Sequence, residues 1–526
     1  MSPDIRFQAA LAAHRFGLGE ASLDVVGNDP RGWLLAQLGP AEPQRGSHLA
    51  SGIEGLKRFA LYLQQQRQAR LVPAGRDQRA AAQTEMRNET RGVRGEMSTE
   101  TRTEPRTEPP TETRTEPPTE PPTDARPAEQ QFGEHFRAIV QADVRARLST
   151  AALTSRPFNE RLALFWANHF TVSMAKASTR GIVGAYEREA IRPHIGGSFE
   201  TLLKAAVTHA GMLRYLDNDG SAGADSPIVL RQARRPRGPD EPGPRVTGLN
   251  ENLAREILEL HTLGVTGGGA AYGGWGGYSQ SDVTEFARVL TGWRVPLREL
   301  MAAPDGSATT RFDPAWHQPG RKTVLGKTYA EGPEALGAVL HDLALHPATA
   351  RFIATKLARH FVADDPAPAL VARLEQNYRS TGGDLPELVR TLVDAPQAWL
   401  PQAAKMKTPE EFVITTARLL KLGESAFARA PDGGITQLGQ RVQAAPSPAG
   451  WPDRGEEWLG PDAVWKRVEW ATRVADRLGR QTDARALARA SLGPLLHDDT
   501  ARQIERAADG PQALALLLLA PEFQRR

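Results

Sequence analysis

Apolar residues recur at spacings of three and four along most of this chain, and that period restricts the fold more than any other feature. ALYLQQQRQARL, FRAIVQADVRARL, LVARLEQNY, LPELVRTLV and DAVWKRVEWATRVADRL all carry it. Such a period puts one stripe of each helix into a core. Strand-like alternation is scarce. The expected fold class is therefore all-α: a large multi-helical single body with long loops. With 526 residues, the chain can bury one large core or two to three smaller ones.

One tract breaks the pattern. Around TETRTEPRTEPPTETRTEPPTEPPTDARP the composition collapses to Thr, Glu, Pro and Arg. Such residues cannot bury enough apolar surface to offset chain entropy, so the reading is a disordered low-complexity insertion. The expected organisation has three parts: an N-terminal helical part of the body at 1–73, the insertion at 74–129, and the main helical body at 130–526. Helical patterns on both sides make it an interruption of one fold. PSPAGWPDRGEEWLG, with its prolines and tryptophans, reads as an ordered loop packed on the body.

Composition removes several chemistries. There is no cysteine, hence no disulfide, thiolate metal site, iron–sulfur cluster or cysteine nucleophile. The net charge is +3, and the basic run RQARRPRG is followed at once by the acids of PDEPG, which argues against nucleic acid as a partner. No stretch reaches the ~18 apolar residues of a membrane span. MSPDIRFQAALAAHRFGLG does not read as a signal peptide, because His14 and Arg15 interrupt its apolar run. That leaves a cytoplasmic location, or a periplasmic one reached by way of a partner.

GLNENLAREILELHTLGV concentrates groups that bind metals or move protons. At about 100° per residue, His261 falls in the apolar arc with Ile257 and Leu258, and Glu256 lies at its boundary. Glu259 points nearly opposite to His261 and is placed to pair with Arg255. The same construction puts His169 with Phe165 and Trp166, His209 with Leu202, Ala206 and Leu213, and His360 beside Ile353 and Leu357. A lone inward histidine is usually a satisfied core residue. Four on separate helices point to convergence, and neutral imidazole is a common ligand for zinc, iron or copper.

The expected site is accordingly a polar pocket between helices. His169, His209 and His261 would hold a divalent metal ion. Glu256 would serve as ligand or proton acceptor, with His317, from FDPAWHQPGRKTVLG, at the edge. Zinc there would favour hydrolysis, and iron or copper oxidation. The competing expectation is a non-catalytic helical partner whose histidines are structural. Asn168 points off the apolar face, towards a cap or a neighbouring loop. YLDNDGS lacks the oxygen spacing of a calcium loop and reads as a turn.

The blocks AAHRFGLG, RLALFWANHF, HIGGSFETLLKAAVTHAGMLRYLDNDGS, GLNENLAREILELHTLGV, GYSQSDVTEFARVLTGW, FDPAWHQPGRKTVLGKTY, HPATARFIATKLARHFV, KMKTPEEFVITTARLL, PSPAGWPD and LAPEFQRR occur in this order. Together they resemble the bacterial domain of unknown function 1800 family. The resemblance carries no assigned catalytic residues. It implies a gene neighbourhood shared with the domain of unknown function 1501 family, whose members tend to carry export signals. A protein of that second family is therefore the expected partner, and the competing non-catalytic reading becomes an escort for it.

Overall fold

Many of the helices begin on a proline, where the absent N–H is one the first turn leaves unpaired anyway. Pro157–His169, Pro347–Phe361, Pro409–Leu419 and Pro461–Leu478 all start this way. Thr408 closes a reciprocal capping box with Glu411, and Ser279 closes one with Asp282, as the sequence SQSD suggests. Each box satisfies two backbone donors, so these helix starts are fixed locally.

The computed structural model describes residues 1–71, 128–234, 248–264, 277–302 and 309–526. The chain is all-α, and residues 74–127 of the expected insertion lie outside the described ones. Two units are distinguished: Met1–Arg58 with Phe136–Arg526, and Phe59–His135. In the smaller unit, helix Gly52–Leu71 contributes Tyr62 and helix Ala128–Leu153 contributes His135, with ring centroids 5.3 Å apart. The larger unit carries most of the helices. Among the described residues, no helix is long and apolar enough to cross a membrane.

Its core is built from the predicted stripes. Helix Pro347–Phe361 packs on Pro368–Thr381, and Pro461–Leu478 packs on Gly510–Leu519. Phe16, Phe158 and Phe361 meet in a buried cluster with centroids 5.6–6.1 Å apart, tying three distant segments together. Two short ribbons are the strand pairs among the described residues. Trp293–Arg294 pairs with Arg311–Phe312, and Lys322–Val324 pairs with Lys327–Tyr329. Leu325 and Gly326 turn the second ribbon with φ of 51° and 74°, the backbone that a two-residue hairpin requires.

Three local expectations change. The helix drawn through His209 breaks there, into Phe199–Thr208 and Ala210–Tyr215, because the imidazole Nδ1 accepts the Gly211 amide at 3.0 Å and caps the second piece. The helix around His261 is α-helical over Asn252–Glu256 and π-helical over Ile257–Thr262. Arg255 pairs with Glu251 at 3.2 Å and not with Glu259.

The interior also holds charges that periodicity does not reveal. Arg192 grips Glu160 with two bonds of 2.8 and 2.7 Å, both side chains being buried. Arg15 sends its two terminal nitrogens to the carbonyls of Ala398, Leu400 and Gln402. Buried ions persist when paired and fully bonded, and such bonds fix which helix faces which.

Candidate functional site

Helix Pro157–His169, helix Pro347–Phe361, the start of Pro409–Leu419 and the 440–457 loop enclose a cleft of about 320 Å³. The blocks RLALFWANHF, HPATARFIATKLARHFV, KMKTPEEFVITTARLL and PSPAGWPD all contribute to its wall. The loop is fixed by Asn168, whose amide accepts from Trp451 N at 2.8 Å and donates to Trp451 O at 2.9 Å. Asn168 therefore binds a neighbouring loop, one of the two roles its outward position allowed. Gly450 has φ +83°, and a Cβ there would lie 2.5 Å from the Asn168 carbonyl oxygen. Only glycine fits that approach without a shift. Met174 N donates to Gln443 O and Ser173 Oγ to Ala445 O, which zip the loop to the segment after the helix.

This anchoring brings Asp453 to His360. Their Oδ1 and Nδ1 are 3.2 Å apart, and Arg161 Nε lies 3.4 Å from His360 Nε2. A guanidinium only donates, so Nε2 carries the lone pair and Nδ1 the proton. Burial lowers the His360 pKa to about 4 against the opposing pull of Asp453, so the ring is neutral near pH 7. Burial would raise the Asp453 carboxyl, but His360, Lys405 and Arg526 hold it well below the usual carboxylate range. Behind it, Glu411 takes Arg161 at 3.0 Å and Arg526 at 3.0 Å. Farther along, Arg147 joins Glu410 at 2.7 Å and also pairs with Glu187.

Two cations in the wall stand outside these pairs. Lys356 and Arg359 line the cleft from one helix, and among the described residues neither has a carboxylate within 4.0 Å. Arg359 Nε donates to the Asp364 carbonyl at 3.0 Å, a bond without a counter-charge. Lys356 Nζ sits 5.5 Å from the centre of the Phe352 ring. Burial lowers its pKa to about 8, with Asp453 opposing and Arg359 assisting. Of the carboxylates in the wall, Glu457 at the exposed rim is the one that lacks an ion pair among the described residues.

The residues expected from sequence are not all at one place. His169 and His261 come together, with ring centroids 6.2 Å apart and His169 Nε2 donating to the His261 carbonyl at 3.1 Å. His169 reaches the cleft wall, while His261 lies wholly buried behind it. Burial and the charge of Lys356 lower both imidazole pKa values, that of His261 to about 3. His209 is engaged elsewhere, by Glu189 Oε2 at 3.0 Å and against the Tyr186 ring. His317 is fully bonded: Nδ1 donates to the Thr291 carbonyl at 2.8 Å, and Nε2 faces Lys322 Nζ at 2.8 Å. Glu256 is half-buried outside the cleft, its carboxyl raised by burial and by Glu259. Among the described residues, no group of three or more His, Asp or Glu side chains is arranged to hold a metal ion.

Lys356, Arg359, Arg161 and Asp453 escaped the sequence reading. A signal existed for two of them. Lys356 lies one turn from both Phe352 and His360, and Arg161 one turn from Phe165, so each charge shares a face with residues that must be buried.

The chain belongs to the family described as Protein of unknown function (DUF1800), which matches residues 11–525. No curated protein and no solved structure matches it.

Proposed function

We propose that the cleft binds a small organic anion and that Lys356 is the group that exchanges a proton with it. The observation that carries this reading is the pair of cations, Lys356 and Arg359, three residues apart on one helix face and with no carboxylate within 4.0 Å among the described residues. Unpaired cations in a partly dry cleft attract carboxylate or phosphate groups far more strongly than the same side chains in open water. An amine with its pKa near 8 also changes protonation state within reach of neutral pH, the range in which general acid–base groups work best. The neutral His360, its tautomer set by Asp453, supplies a fixed polar wall. The charge of Lys356 opposes a metal ion at His169 and His261, since it already disfavours protonation of both rings.

The test is calorimetric titration of the full chain with glycolate and with inorganic phosphate. Binding of either one, weakened about tenfold or more in Lys356→Met and in Arg359→Met, is expected from the loss of a ~1.4 kcal/mol or larger charge-assisted contact. Lys356→Met should also unfold at a higher temperature, because it removes a half-buried charge. Equal affinity in wild type and both variants, or no binding of either anion to wild type, would remove this reading.

A further inference from the structure

The geometry points to a more specific role for Lys356, one that rests on the anion-binding reading: we infer that its amine forms an imine with the carbonyl carbon of a small aldehyde or ketone that also bears a carboxylate. A lysine that serves only as a charge is normally solvated or paired with an acid. Here Nζ lies over the Phe352 ring inside a cleft, with no carboxylate within 4.0 Å among the described residues. The groups that act on it are Asp453, Arg359 and the His169 and His261 rings. Both imidazoles are held neutral, and Asp453 is already committed to His360 and Lys405. Among the described residues, no acid keeps the amine protonated by direct pairing. Desolvation of this kind is how lysines become nucleophiles towards carbonyl groups.

The step balances without an oxidant or reductant. The nitrogen lone pair forms a C–N bond to the carbonyl carbon, and the C=O π pair moves to oxygen, which takes a proton. Nitrogen gives up that proton and then a second one, which goes to the hydroxyl; the hydroxyl leaves as water while the nitrogen lone pair closes the C=N bond. Arg359, on the same helix face, is the cation that holds the carboxylate end. The ligand class is a 2-oxo acid or a carboxylate-bearing aldehyde, small enough for about 320 Å³.

The test uses the full chain with glyoxylate and sodium cyanoborohydride, which reduces an imine to a stable carboxymethyl-lysine. Proteolysis and mass spectrometry then locate the adduct. The expected result is modification at Lys356 about tenfold or more above the exposed Lys421, with Arg359→Met lowering the Lys356 adduct alone. Lys356→Arg keeps the charge, so it should lose the adduct yet still bind glycolate. An adduct at Lys356 no greater than at Lys421 overturns the inference. If glycolate binds and the adduct is absent, the imine falls and the anion site stands. If neither is seen, both fall.

Discussion

At the scale of single residues, His261 is the most informative side chain outside the cleft. It is wholly buried, its pKa is lowered to about 3, and neither ring nitrogen has a hydrogen-bond partner among the described residues. A buried polar group left unpaired costs about 1–3 kcal/mol, whereas an apolar group of similar volume costs little there. His261→Leu is therefore expected to leave the urea midpoint unchanged or to raise it. His360→Leu should lower the midpoint, at a cost of about 2 kcal/mol or more in unfolding free energy, because Asp453 and Arg161 then lose a bonded partner. A loss in His261→Leu as large as in His360→Leu would show that the ring is bonded in solution. Helix faces put His169 and His261 on inward stripes, and the structure brings those two rings together. The place of His209 was not legible in this way, because its imidazole replaces a backbone bond and ends the helix that the wheel assumed. Lys356 was passed over because a lysine beside an apolar stripe is usually a solvated edge.

At the scale of elements, the site depends on one loop being held against one helix end. Asn168 sits in the middle of the block WANHF and clamps both backbone groups of Trp451, and Asp453 follows two residues later. Trp458 Nε1 donates to the Pro452 carbonyl at 3.1 Å, and Gly455 N donates to Asp364 Oδ2 at 2.9 Å, so the loop is closed from its far side as well. Gly450→Ala introduces a Cβ at positive φ against backbone, which cannot move aside as a flexible side chain would. The expected cost is about 2 kcal/mol or more, from left-handed strain of 1–2 kcal/mol plus the contact. The variant should also become sensitive to proteolysis within the 440–457 loop while the far-ultraviolet circular dichroism stays helical. A variant as stable as wild type would mean that the clamp is not what positions Asp453. Proline and tryptophan in PSPAGWPD announced an ordered loop. They could not announce its partner, because the bond from Asn168 to Trp451 spans most of the sequence between two helical blocks.

At the scale of the whole molecule, the buried titratable groups give the fold a definite response to pH. Burial lowers His14 and His261 to about 3 and His360 to about 4, and His169 moves the same way. Each of these rings binds a proton more weakly folded than unfolded. As pH falls through the unfolded value of about 6.5, the unfolded chain gains protons that the native state refuses. Stability then drops by roughly 1.4 kcal/mol per pH unit per ring until the folded site itself protonates. Glu411, held down to about 2 by Arg526 and Arg161 against its burial, adds a further loss once the pH passes below 4.5. The alkaline side follows the same logic. Lys407 is buried, donates to the Phe523 carbonyl at 2.5 Å, and has its pKa lowered from 10.5 to about 7 by burial, with Glu411 opposing. Between about pH 7 and about pH 10 the unfolded chain carries more of that proton, so stability should keep rising with pH, where many proteins have already reached a plateau. Urea midpoints across this range test the point. Lys407→Met should flatten the alkaline rise, and His14→Leu should make the acid fall shallower without touching it. A wild-type curve already flat above pH 7, or one whose slope Lys407→Met leaves unchanged, would mean that Lys407 keeps its proton inside the fold. The interior would then hold one more buried cation beside Arg467 and beside Arg161 and Arg526, which share Glu411.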